Sequence, residues 1–76
     1  MSPKEFLHMV VSALVENTAA IEIEEKHDDL WILLSLKVDQ NDMGSIIGRG
    51  GKTIDSLRTV IRVFGSKLWT RVTLRI

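Results

Sequence analysis

The chain has 76 residues, enough for one small core with function carried on its surface and too few for a large enzyme. With 45% hydrophobic and 26% charged residues it has the makeup of a folded domain; without cysteine it can build neither a disulfide framework nor a thiolate metal site, and its two histidines lack metal-ligand spacing. Net charge is zero, yet residues 1–48 hold three lysines against nine acids, a net −6, while residues 49–76 hold seven bases against Asp55 alone, a net +6; either the C-terminal part forms a basic face or the two halves neutralise each other across the fold.

Ser2-Pro3-Lys4-Glu5 has the form of a capping box, with Ser2 as N-cap and Pro3 at the first helical position. Phe6, Leu7, Val10, Val11, Ala13 and Leu14 recur at helical spacing, which predicts a helix reaching about Asn17, a residue suited to a left-handed C-terminus. From Ala19 the period becomes two. Ile21 and Ile23 alternate with Glu22 and Glu24, His27-Asp28-Asp29 interrupts, and Leu30, Ile32, Leu34, Leu36 and Val38 alternate again, which predicts a hairpin. Asp39-Gln40-Asn41-Asp42 is a polar loop, and Met43 to Ile47 has room for about one turn of helix before the glycines. After Gly51, Ile54, Leu57, Ile61 and Phe64 predict a second long helix, with Gly65 at its C-terminal cap in positive φ. Thr70 to Ile76 predicts a last strand, with Val72, Leu74 and Ile76 on one face and Arg71, Thr73 and Arg75 on the other. The order is α-β-β-α-α-β.

Ile46-Ile47-Gly48-Arg49-Gly50-Gly51-Lys52-Thr53 lies between two helices, and three glycines in four positions continue neither of them. A helix-turn-helix linker usually needs a single glycine. Glycines also let a backbone approach a ligand closely, and the first amides of the following helix carry positive partial charge, so a phosphate is the natural ligand, with Arg49 and Lys52 adding charge. The turn is not an NTPase phosphate loop. In G-x-x-x-x-G-K-[ST], Gly51-Lys52-Thr53 supplies the end but the first required glycine falls on Ile46. Nor is it a dinucleotide fingerprint, since counting G-x-G-x-x-G from Gly48 puts the third glycine on Thr53.

Ile47-Gly48-Arg49-Gly50-Gly51-Lys52 resembles the I-G-x-x-G-[KR] signature of KH domains, and α-β-β-α-α-β resembles their type II, bacterial arrangement. Leu14-Val15-Glu16-Asn17, Asp42-Met43-Gly44 and Leu57-Arg58-Thr59-Val60 further resemble the short, stand-alone bacterial KH proteins of the KhpA family. The resemblance covers essentially the whole chain. It implies an α+β type II KH domain over residues 1–76, with a three-stranded sheet and three helices on one face. It also implies an RNA chaperone or post-transcriptional regulator that binds single-stranded RNA with low sequence specificity. Gly48 to Gly51 would clamp the backbone of about four unpaired nucleotides, with base edges read in a cleft beside the helices. The RNA-binding set so implied is Ile47, Gly48, Arg49, Gly50, Gly51, Lys52 and Arg58, and the partners are single-stranded RNA and a second copy of the chain or another KH-domain protein. Apolar cleft walls would come from Ile46, Ile47, Ile54 and the strand Leu30–Val38. Members of the family often carry Lys where this chain has Ser45 and a polar or basic residue where it has Gly50. Fewer phosphate contacts, and weak or partner-assisted binding, are therefore expected.

Arg58 and Arg62 lie four apart on the helix after the glycines, where they either track a phosphate backbone or form a solvated face. Asp55, three residues before Arg58, is placed to pair with it. Trp31 and Trp69 fall out of phase with Ile32/Leu34 and Val72/Leu74, so with Leu33 they are expected on the sheet face away from the helices, as a partner surface or packed at the edge under a loop. The alternative to RNA binding is a protein-interaction or dimerisation module using these residues or the helical face. His8 and His27 have no acid or nucleophile at a recognisable spacing, and neither catalysis nor a cofactor is expected. With no basic leader and no run near about 18 apolar residues, a cytoplasmic protein is expected.

Overall fold

In the computed structural model, which describes residues 1–76, Ser2 opens the first helix as the sequence predicts. Its Oγ accepts from the Glu5 amide at 3.1 Å, and Glu5 Oε1 accepts from the Ser2 amide at 2.9 Å, closing the capping box. Helix α1 spans Pro3–Ser12 and stops short of the expected end at Asn17. The cause lies far along the chain. The buried carboxylate of Asp42 accepts from the Glu16 and Asn17 amides, each at 3.1 Å, and holds this segment in a non-helical bend. Val15 still reaches the core, while Leu14 is left exposed.

A 3₁₀ turn, Thr18–Ala20, leads into strand β1, Glu22–His27, which pairs antiparallel with β2, Trp31–Lys37. Strand β3, Arg71–Arg75, pairs parallel with β2, so the sheet order is β1-β2-β3 and the two outer strands form opposite edges. Alternation sorts the side chains. Ile32, Leu34, Leu36, Val72 and Leu74 face the helices and join Leu7 and Val11 of α1 in one core of 13 residues. Trp31, Leu33 and Ser35 occupy the alternate positions of β2, and Arg71, Thr73 and Arg75 those of β3. All three helices therefore cover one face and leave the other open. Ile76, expected on the core face, lies one residue beyond β3 and is 42% exposed.

Helix α2, Met43–Ile47, is the short element expected, and α3 runs Lys52–Lys67. Gly65 is not the left-handed cap that its position suggests. It lies inside α3, buried, because β3 returns directly against it: a Cβ there would sit 2.5 Å from Val72 Cγ2 and 2.8 Å from the Thr70 carbonyl oxygen. The chain instead reverses through Trp69, which takes φ of 59° while its amide and that of Thr70 donate to the Ser66 and Gly65 carbonyls. Phe6 of α1 stacks parallel on Phe64 of α3, with ring centroids 4.5 Å apart.

Candidate nucleic-acid interface

Ile46, fully buried, anchors α2 in the core, so the chain leaving it is fixed where the glycines begin. The Gly48 amide donates to the Gly44 carbonyl at 2.9 Å and ends the helix. All three glycines of the turn then adopt positive φ: 75° at Gly48, 64° at Gly50 and 78° at Gly51. Gly48 is constrained twice, because a Cβ there would also collide with the Thr53 side chain and lie 2.8 Å from the Thr53 nitrogen. Around Gly50 and Gly51 the space is open, so only their backbone conformation favours glycine.

This turn delivers the chain into α3 with Gly51 as N-cap and no side chain capping the first turn. The start of a 16-residue helix, with its partial positive charge, thus faces outward between Arg49 and Lys52, both exposed. Ile47 is 37% exposed beside it and offers an apolar contact, whereas Ile46 and Ile54 belong to the core and cannot wall a cleft. Ser45 is exposed and brings no charge.

Arg58 lies two turns along α3 and is held at the sheet edge. Its Nε donates to the Leu74 carbonyl at 3.3 Å, and an Nη1 hydrogen bond and ion pair to Asp55 Oδ1 measures 3.2 Å. Two of the five guanidinium donors are thereby engaged. Arg62 is one turn further, and with Arg58, Val72, Thr73 and Leu74 it lines a shallow groove of about 180 Å³ between α3 and β3. Because Arg58 meets Leu74 while Gly65 meets Val72 and Thr70, α3 runs antiparallel to β3. The glycine turn therefore sits at the Arg75–Ile76 end of β3, while the groove itself is lined only by residues of α3 and β3. A larger concavity of about 760 Å³ lies over the β1–β2 hairpin around Lys4, Glu22, Glu24, Glu25 and Lys37. It contains no residue of the glycine turn, and its acids outnumber its bases, which suits no anionic ligand.

Of the residues expected as a partner surface, Trp31 and Leu33 share the open sheet face. Trp69 does not stand on β3. It occupies the α3–β3 turn, 96% exposed, at the end of the sheet where Trp31 begins β2. Spacing alone missed the role of the Asp42 carboxylate in holding the Glu16–Asn17 bend; only its position among N-capping residues hinted at it.

Residues 4–76 match a family model described as the KH domain of KhpA/KhpB. The chain is 35% identical over 72 residues to the RNA-binding protein KhpA of Caldanaerobacter subterraneus subsp. tengcongensis, covering 95% of this chain and 96% of that one. It is 36% identical over 73 residues to the RNA-binding protein KhpA of Chlamydia pneumoniae, covering 96% and 94%, and 29% identical over 73 residues to that of Aquifex aeolicus, covering 96% and 92%. These names describe binding proteins, not enzymes. With its sheet order, its helices on one face and a match over nearly its whole length, the chain belongs to the KhpA/KhpB family of KH domains.

Proposed function

We propose that this chain binds single-stranded RNA with low sequence specificity through Gly48-Arg49-Gly50-Gly51 and acts as an RNA chaperone or post-transcriptional regulator. One observation carries the reading: three positive-φ glycines present an uncapped α3 N-terminus between two exposed cations, Arg49 and Lys52. A phosphate between two unpaired nucleotides fits such a turn, since it needs backbone donors and close approach but no base-specific pocket. Ile47 and Arg58 flank the path from the turn toward the groove on β3. Arg58, tied to Leu74 and Asp55, is oriented in advance and contributes as a fixed donor.

Filter binding of RNA and DNA 10-mers across a salt series tests this. Each phosphate contact on a single strand contributes about 0.7 to the slope of log affinity against log salt, so a clamp of Arg49, Lys52 and Arg58 gives a slope near −2, and tighter binding of RNA than DNA reports the 2′-hydroxyl. A salt-independent affinity, or none, refutes it.

A second reading, pairing with another copy or another KH protein, is favoured by apolar side chains on the helical face. Val60 and Val63 of α3 are 46% and 54% exposed, and Met9 of α1 is 52% exposed, all close to the stacked Phe6 and Phe64. Sedimentation across a concentration series tests it. A mass that stays monomeric at high concentration counts against self-pairing.

A further inference from the structure

The open face of the sheet is not used by the glycine turn. Along β3, Arg71, Thr73 and Arg75 point away from the core, and the parallel register sets Trp31 beside Arg71 and Leu33 beside Thr73. Arg71 and Arg75 are about 13 Å apart at the rise of an extended strand. Neither has an acidic partner within ion-pair distance, whereas the acids of this face, Glu22 and Glu24, stand on the far edge strand and each pairs with a lysine, Lys37 and Lys26. Asp28 and Asp29 lie in the turn before Trp31, so the unmatched positive strip runs from Arg71 toward Arg75 and not over that turn.

We propose that this face is a second contact for the same single strand, with Trp31 as a stacking surface for a base and Arg71 and Arg75 as phosphate contacts. The inference rests on the RNA-binding reading above and extends it. Sequence-tolerant single-strand sites combine cations that track the backbone with aromatic side chains that stack on bases, and both are present here in adjoining positions. A protein partner would have to bring two carboxylates at matching places; a nucleic acid supplies an anion at every nucleotide. The path is continuous with the glycine turn. That turn sits at the Arg75–Ile76 end of an edge strand, so a strand leaving Arg49 crosses one edge, past the half-exposed Ile76, to reach Arg75. Trp69, at the other end, two residues before the Arg71 that stands beside Trp31, is held in a left-handed backbone that a tryptophan adopts only at a cost, and its side chain is almost fully exposed.

The test compares oligo-uridine of about four and about fifteen nucleotides, lengths that reach the turn alone or the turn and the face, a single-strand site spanning about 4–16 nucleotides. In the intact chain the Arg71→Gln/Arg75→Gln variant lowers the slope of log affinity against log salt for the long strand by about 1.4, at about 0.7 per lost phosphate contact. Trp31→Leu weakens the long strand roughly tenfold, as loss of one stacked base does. Neither variant changes binding of the short strand. Equal affinity and equal slope for the long strand in the arginine variant and the unmodified chain overturn the proposal while leaving the glycine turn standing. Failure of the unmodified chain to bind either length overturns the RNA-binding reading and this inference with it. Retained long-strand affinity in Trp31→Leu, with loss of a protein partner, assigns the face to protein and overturns the proposal.

Discussion

Changing Arg49 and Gly50 together to Asp separates binding from folding. The turn's charge falls by three units. At about 6 Å through water each unit against one phosphate is worth about 0.7 kcal/mol, so three sum to about 2 kcal/mol, or about 30-fold in affinity for the nearest phosphate alone. The fold should survive. Position 50 has open space for a Cβ, and its φ of 64° is one that Asp tolerates better than most residues, at a cost of about 1 kcal/mol against about 4–11 kcal/mol for a domain of this size. Fluorescence anisotropy with a labelled RNA 10-mer, alongside a melt followed by circular dichroism, reads both quantities. The expected outcome is at least 30-fold weaker binding at low salt, a gap that narrows near 1 M salt as the Debye length contracts to about 3 Å, and a melting temperature lower by about 4–8 °C. Unchanged affinity at low salt in a folded variant would refute the assignment of the turn as the clamp.

Gly48→Ala should cost more than Gly50→Ala, because the first adds a collision with Thr53 to the unfavourable φ and the second does not; about 2–4 kcal/mol against about 1 kcal/mol is expected from denaturant unfolding. Asp42→Ala leaves the Glu16 and Asn17 amides without their acceptor and should lower stability by about 2–4 kcal/mol, with new exchange of those two amides visible by NMR. Acid should destabilise the chain. Glu5 is held below the ordinary carboxylate range by the Ser2 amide and then its hydroxyl, and Asp39 by the Asn41 amide and then the Asn17 side chain. Both contributions are complete above the unfolded value near about 4 and are lost as pH falls through the lowered folded values. Melting temperatures from pH 6 downward check this, and Glu5→Gln should flatten the decline at its low end.

What the sequence made legible is what neighbouring residues decide among themselves. Ser2 and Glu5 close their box within one turn, the alternation of Ile32, Leu34 and Leu36 needs only the pleat, and three glycines in four residues break any helix. What stayed hidden depends on partners far along the chain. Asp42 ends α1 from 25 residues away, by taking the amides of Asn17 and its neighbour. Gly65 looks like a cap because glycine often is one, yet it is required by the approach of Val72 and Thr70, which only the folded β3 brings. The left-handed position therefore fell to Trp69, where no residue preference would put it. At the site itself, the family resemblance pointed to Ile46 and Ile47 together as cleft walls, and packing alone assigned one to the core and the other to the surface.

The zero net charge, which on its face argues against an anionic partner, is resolved by sheet order. β1 and β3 are opposite edges. Glu22, Glu24 and Glu25 lie on β1, with Asp28 and Asp29 in the turn after it, while Arg71 and Arg75 lie on β3 and Arg58 and Arg62 on the helix packed over it. Five of the nine acids of residues 1–48 thus lie across the width of the sheet from the β3 arginines instead of cancelling them in place, while Glu5, Glu16, Asp39 and Asp42 stand on other elements. That polarity favours an anion at the β3 edge over one at the β1 edge.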